Sequence, residues 1–156
     1  MIKFSIRHAK LNELLRIKYI TKLAYKIPYK EDTLITKSYE PDNIKSSFSK
    51  KEVFIIVAIF NDRIVGAVRY KFFEKNSLYF YKLAVLKTHR NKGIGTSLIK
   101  QVEVIAKKKG IAKIKLDCAQ EKKIPEYYKK FGYKIDKVKQ HQNHHDVYMS
   151  KKIEIQ

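Results

Sequence analysis

A mixed α/β fold is predicted by three observations on this 156-residue chain. Two β-branched and aromatic runs are joined by a two-residue turn, a strand-helix-strand passage follows, and 44% of the residues are hydrophobic, with 11 Tyr and 8 Phe. The first implies an antiparallel pair, the second a parallel one, and the third a packed core. The length suits one domain. No Pro/Gly/Ser linker, internal repeat or low-complexity block divides the chain, so one domain over residues 1–156 is expected.

The elements follow in order. Ile2, Phe4 and Ile6 alternate with Lys3, Ser5 and Arg7 as a short strand. Leu11, Leu14, Leu15, Ile20, Leu23 and Ala24 recur near helical spacing, and Pro28 closes that helix at about Lys26. A shorter helix starts at Pro41, with Ile44 and Phe48 four apart on one face. Val53–Phe60 and Ile64–Phe73 flank Asn61-Asp62, residue types that tolerate the positive φ of a tight hairpin. A turn over Glu74–Ser77 leads into a strand over Leu78–Leu86. A helix then starts near Gly93, with Ile94, Leu98, Val102, Ile105 and Ala106 on one side and Gly110 as its stop. Ala112, Ile114, Leu116 and Cys118 alternate with lysines and Asp117, a strand with one buried face. Pro125 fits a first helical turn and Gly132 ends a helix of about two turns, before strands over Tyr133–Val138 and Val147–Ile153. The order is β-α-α-β-β-β-α-β-α-β-β.

The charge narrows the function classes. With 35 Lys and Arg against 15 Asp and Glu, the formal charge is +20. A polycation attracts polyanions. Yet the excess is nearly all Lys, with Arg only at 7, 16, 63, 69 and 90, and it is spread along the chain. There is no pairing of Cys with His at zinc spacing, no RNA-recognition aromatic signature and no helix-turn-helix pattern, so nucleic-acid binding is not expected as the main role. The longest apolar run, Val53–Phe60, is far short of the roughly 18 residues a membrane span needs. The alternating amino terminus lacks the continuous apolar stretch of a signal peptide. The single cysteine, Cys118, excludes an intrachain disulfide, and a cytoplasmic location is expected.

The most informative segment is Leu83-Ala84-Val85, then Arg90-Asn91-Lys92-Gly93-Ile94-Gly95-Thr96-Ser97. It runs from a strand end through a basic loop into the first turn of a helix. Free N–H groups and the positive dipole end collect there, and glycines let an anion approach them. Arg90 and Lys92 add charge, and Thr96 and Ser97 add hydroxyls. The competing reading is that the two glycines merely relax a tight turn. A dinucleotide site does not fit, because the third glycine position is Leu98 and the preceding strands read as hairpins. A P-loop fails on spacing.

On these residues the chain resembles the GNAT superfamily of acetyl-CoA-dependent N-acetyltransferases. Arg90-Asn91-Lys92-Gly93-Ile94-Gly95 is similar to its Arg/Gln-x-x-Gly-x-Gly/Ala loop, and Leu83-Ala84-Val85 to the strand end before it. Tyr127-Tyr128-Lys129-Lys130-Phe131-Gly132-Tyr133 is similar to its aromatic-Tyr-x-x-x-Gly-aromatic helix. The resemblance runs from about Val53 to Met149 and covers the amino-terminal β-α-α only in outline.

It implies a mixed, mostly antiparallel sheet with helices on both faces, acetyl-CoA as co-substrate, no metal, and transfer to a primary amine on a small molecule, peptide or protein. By the resemblance, main-chain groups of Leu83, Ala84 and Val85 pair with the pantetheine arm. Arg90, Asn91, Lys92, Gly93, Ile94, Gly95 and Thr96 hold the pyrophosphate, and Tyr128 faces the thioester sulfur as proton donor. Read without it, Tyr128 is a packing aromatic beside Tyr127 and Phe131.

The chain departs from the family at two places. Glu121 stands where many members have Asn, and the strand face that carries a carboxylate base in some members holds Tyr79 and Tyr81. Those tyrosines, with Glu31 and Asp32, are the acceptor-side candidates. Glu31, Asp32, Glu40 and Asp42 stand against only Lys37 in residues 31–42, an acidic exception in a basic chain. No base is assigned, beyond ordered water or His144 or His145. His141, His144 and His145 are expected to be solvated turn residues, and Cys118 a buried strand residue. Two other classes stay open: a noncatalytic acyl-CoA-binding protein and a basic nucleic-acid-binding module. The oligomeric state, monomer or homodimer, also stays open.

Overall fold

The computed structural model describes residues 3–26, 44–120, 123–142 and 144–154. Glu31, Asp32, Glu40, Asp42 and Glu121, with Pro28 and Pro41, lie outside the described residues. The described elements are β1 (Ser5–His8), α1 (Leu14–Lys26), α2 (Ile44–Ser49), β2 (Phe54–Phe60), β3 (Arg63–Phe73), β4 (Ser77–Val85), α3 (Ile94–Lys108), β5 (Lys113–Ala119), α4 (Ile124–Lys129), β6 (Lys134–Gln140) and β7 (His145–Lys152). This is the order read from the sequence. Short 3-10 turns over Leu11–Glu13 and Lys87–His89 were not expected.

The strands form one seven-stranded sheet in the order β1-β2-β3-β4-β5-β7-β6. The pairings β1–β2, β2–β3, β5–β7 and β6–β7 are antiparallel, whereas β4 and β5 pair parallel, over Ser77–Tyr79 and Lys113–Lys115. A helix separates them in the chain, as a parallel connection requires. The β2–β3 turn places Asn61 and Asp62 at φ 49° and 62°, the left-handed pair of a type I′ hairpin. β1 begins later than its alternation suggests. Ser5–His8 pairs with Ile59–Ile56, and its polar residues are held locally: Arg7 donates both guanidinium arms to Glu13 at 2.8 Å, and His8 Nε2 lies 2.7 Å from Tyr70 Oη.

The chain divides into two compact units, Met1–Lys71 with Lys82–Val102, and Phe72–Tyr81 with Glu103–Gln156. In the first, Leu14, Ile17, Ile20 and Ala24 of α1 and Ile44 of α2 form a buried cluster with Ile55, Val57 and Ala67. Neighbouring strand residues point to opposite faces, so Gly66 looks away from that cluster. A Cβ built on Gly66 would meet Ile94 Cγ2 at 3.1 Å and Leu98 Cδ1 at 3.4 Å, both on α3. This unit therefore carries α1 on one sheet face and α3 on the other.

In the second unit β7 pairs with β5 from Lys113↔Lys152 to Ala119↔Asp146 and with β6 on its other side. Leu78, Phe80, Ile114, Leu116, Tyr133, Val147 and Met149 are buried. Gly110, at φ 66°, turns the chain out of α3 with its N–H on Lys107 O at 3.1 Å.

Candidate functional site

In the first unit the structure brings together the strand end Leu83–Val85, the loop Arg90–Gly93 and the first turn of α3. The loop conformation follows from its residue types. Asn91 and Gly93 flank Lys92 at φ 61° and 81°, left-handed values that asparagine tolerates and glycine adopts freely. Such alternation turns successive N–H groups toward one concavity, which favours an anion. The first intrahelical bond runs from Ser97 N to Gly93 O at 3.0 Å, so the N–H groups of Ile94, Gly95 and Thr96 precede the ladder. Among the described residues, nothing beyond its chain neighbours lies within 4 Å of a Cβ built on Gly93, so this glycine answers to backbone conformation and not to crowding.

The Arg90 side chain is engaged within the protein. Its Nε donates to Val85 O at 3.0 Å and its guanidinium also reaches Ala24 O at 3.4 Å, so the side chain braces the loop against β4 and the end of α1. Lys87 and Lys92 leave the segment cationic. His89 shares a 2.8 Å contact with Thr88 Oγ1 and sets its ring edge-on to Phe60.

Within β4, Lys82 has φ 50°, a left-handed residue that breaks the regular pleat just before Leu83–Val85. Beyond it, Leu86 N donates to Val65 O at 2.9 Å, so alternation directs the main-chain groups of Leu83 and Val85 away from β3. Tyr25 Oη donates to Leu83 O at 3.2 Å. Two carbonyls of this segment, those of Leu83 and Val85, are therefore already engaged by the protein.

In the second unit Tyr128 is buried on α4. Its ring stands edge-on to Phe80 at 5.9 Å, to Tyr127 at 5.3 Å and to Tyr133 at 6.2 Å, and its carbonyl accepts from Phe131 N and Tyr133 N. Gly132, at φ 91°, permits that turn. Tyr133 Oη and Lys151 Nζ both reach Glu103 Oε1, at 3.3 and 3.0 Å; burial, then the Glu103 charge, raises the Tyr133 phenol far above its ordinary range.

Tyr79 and Tyr81 stack at 5.2 Å on the β4 face opposite Phe80. The structure thus puts Tyr79 and Tyr81 on one face of β4 and Tyr128 on the other. Tyr79 Oη donates to Asp117, a carboxylate that the sequence reading did not select. Strand alternation alone could have marked it: Asp117 shares its face with Lys115, the parallel partner of Tyr79. Cys118 points the other way, and burial, then Asp117 and Asp146, pushes its thiol up to about 12, which keeps it protonated.

The turn histidines correct the expectation of solvated residues. The side chains of His141 and His144 are only 35% and 17% exposed, and both contact Asp146.

Residues 15–133 match the family model described as the Acetyltransferase (GNAT) family. Three solved structures are similar in fold. The PaiA N-acetyltransferase of Thermoplasma acidophilum, solved with coenzyme A, is 21% identical with a TM-score of 0.80, covering 97% of this chain and 99% of that one. An N-acetyltransferase from Staphylococcus aureus Mu50 is 19% identical with a TM-score of 0.78, covering 97% and 99%. The ribosomal-protein-S18-alanine N-acetyltransferase of Escherichia coli is 12% identical with a TM-score of 0.77, covering 99% and 96%.

Proposed function

Because the chain belongs to the GNAT acetyltransferase family, we propose that it is a single N-acetyltransferase domain over residues 1–156 that moves an acetyl group directly from acetyl-CoA to a primary amine. The observation that carries this reading is the left-handed Asn91 and Gly93 at the start of α3, which shape an anion cradle where the family motif lies. The passage of β3, β4 and α3 through both compact units supports one domain.

In this reading the pyrophosphate rests on N–H groups of Asn91 to Thr96, Lys92 supplies charge, and Arg90 holds the loop in shape. Since the carbonyls of Leu83 and Val85 are engaged, these residues would offer N–H groups to the pantetheine arm, and one strand N–H would stabilise the developing oxyanion. The acceptor ammonium first loses a proton to solvent water; its neutral nitrogen then attacks the thioester carbon, the carbon–sulfur bond breaks, the new amide nitrogen sheds its surplus proton to water, and the leaving thiolate takes a proton. Tyr128 is the proposed donor, through its phenolic hydroxyl. Its aromatic neighbours fix the ring. Tyr79, Tyr81 and Asp117 are proposed to receive the cationic acceptor, which a carboxylate among aromatic faces suits, so that the amine approaches the thioester from the β4 face opposite the proton donor. The acids at 31, 32, 40 and 42 belong to the same proposal on charge alone.

No helix among the described residues is long and apolar enough to cross a membrane. We place the protein in the cytoplasm on its lone thiol.

Two measurements test the function. Free CoA at 100 times its Kd should add about 2.7 kcal/mol to the unfolding free energy. Acetyl-CoA turnover against a panel of small amines, peptides and aminoglycosides should reveal an acceptor. CoA stabilisation without turnover on any acceptor would favour a noncatalytic acyl-CoA binder. No CoA effect, with oligonucleotide binding steeply dependent on salt, would favour the nucleic-acid reading.

A further inference from the structure

We propose that His141, His144 and Asp146, at the tip of the β6–β7 hairpin, form a binding site for one divalent ion of the zinc class. The three side chains converge from the two ends of the hairpin. His141 Nε2 lies 2.8 Å from one carboxylate oxygen of Asp146, and His144 Nε2 lies 3.2 Å from the other. One donor atom from each residue falls within 4.8 Å of the other two. A tetrahedral ion with bonds near 2.1 Å spaces its ligand atoms ~3.4 Å apart, so small side-chain shifts would complete the set.

The backbone holds this arrangement. His141 N donates to His144 O at 2.8 Å, and Asp146 sits in register with Lys139 on β6 and Ala119 on β5. The imidazoles stack 4.6 Å apart at 16°, and both Nε2 atoms contact Asp146. His145 is directed to the opposite face by strand alternation and takes no part. Position 143, outside the described residues, is not used.

A second observation separates this cluster from an ordinary ion pair. Among the described residues, buried His141 Nε2 has no hydrogen-bond partner, although a carboxylate oxygen is 2.8 Å away. The contact has the distance of a hydrogen bond without its direction. A buried ring nitrogen left without a directed partner costs free energy, and a metal ion accepting its lone pair would remove that cost. Two imidazole nitrogens and one carboxylate oxygen suit zinc and its neighbours, while magnesium and calcium prefer all-oxygen shells. Three protein ligands leave a fourth position for water. The inference does not depend on the acetyl-transfer reading.

The test uses the full chain without a histidine tag, freed of metal by chelator and dialysed. Calorimetric titration with zinc chloride should show one equivalent per chain at micromolar Kd or tighter, and cobalt chloride should produce the visible absorption of a tetrahedral nitrogen-ligated ion. Magnesium chloride should give no saturable heat. His141→Gln, His144→Gln and Asp146→Asn should each weaken zinc binding by at least about tenfold, a loss that even outer-shell changes can reach. His145→Gln should stay within twofold of the parent. Circular dichroism without metal identifies the variants that fold, and the comparison is read on those. The proposal is overturned if the parent takes up no stoichiometric zinc, which would make the cluster an imidazole–carboxylate contact only, or if the folded ligand variants bind like the parent.

Discussion

Tyr128 combines two properties at one residue. Its ring is held edge-on by Phe80, Tyr127 and Tyr133, while the proposed chemistry needs only its hydroxyl. Tyr128→Phe should therefore keep the ring packing and CoA affinity and lower kcat by about 10²-fold. Tyr127→Phe should do far less. Parent-like turnover in both variants would return Tyr128 to packing alone. Glu13 offers a different test at the same scale. The Arg7 hydrogen bonds, aided by Lys10 N–H, hold its carboxyl at about 2, below its ordinary 4.5. A depressed carboxyl contributes stability fully above its unfolded pKa and loses it as pH falls through the folded one. Thermal unfolding followed from pH 5 down to about pH 2 should thus fall less steeply in Glu13→Gln than in the parent. An identical pH profile would show that the pair contributes nothing.

The elements show what periodicity conveys and what it omits. The 3.6-residue spacing of Ile94, Leu98, Val102 and Ala106 and the alternation of Ile114 and Leu116 are direct consequences of burying one face, and both elements lie where those patterns put them. The first turn of α3 as an anion cradle was legible because glycine types report backbone freedom. Lys82 was not legible, since nothing in lysine signals a left-handed residue, and the brace made by Arg90 depends on where Val85 and Ala24 come to lie. Gly66 reads as an ordinary strand position, yet it allows Ile94 to approach β3 closely. Asp117 and the His141–Asp146 contacts arise from register between strands, which composition does not encode.

These differences set a paired prediction for α3. Gly95→Val, in the first helical turn, should abolish measurable CoA binding in a folded protein by crowding the cradle. It is cleaner than Gly93→Val, whose φ of 81° adds strain of its own. Gly66→Ala should lower stability by about 1–3 kcal/mol, because the added methyl would stand 3.1 Å from Ile94 Cγ2 and 3.2 Å from Ala84 O. Unchanged CoA affinity in folded Gly95→Val would remove the loop from the binding site, and an unchanged denaturation midpoint in Gly66→Ala would show that α3 yields freely.

For the whole molecule, charge is the dominant property. Most of a +20 surface repels a cationic amine, so an acceptor of that kind needs local carboxylates to approach. Replacing Glu31, Asp32, Glu40 and Asp42 by Gln and Asn should raise KM for a cationic acceptor and leave KM for acetyl-CoA unchanged. Added salt should weaken acceptor use more in the parent than in the variant. Equal acceptor KM values at low salt would make the segment ordinary surface.

The same charge acts at the rim of the sheet. β6 is the outermost strand beyond β7 and is exposed along its whole length, with Ile135 and Val138 in view of solvent. Such a border invites another chain to extend the ladder. Here Lys134, Lys137 and Lys139 punctuate it, and the register slips between Ile135 and Lys137. A second molecule laying its own β6 alongside would set lysine rows against each other on an irregular template. The border thereby resists fibril-like stacking at high concentration, and a protein engineer who trimmed those lysines to reduce polyanion adhesion would gain selectivity at the expense of colloidal stability.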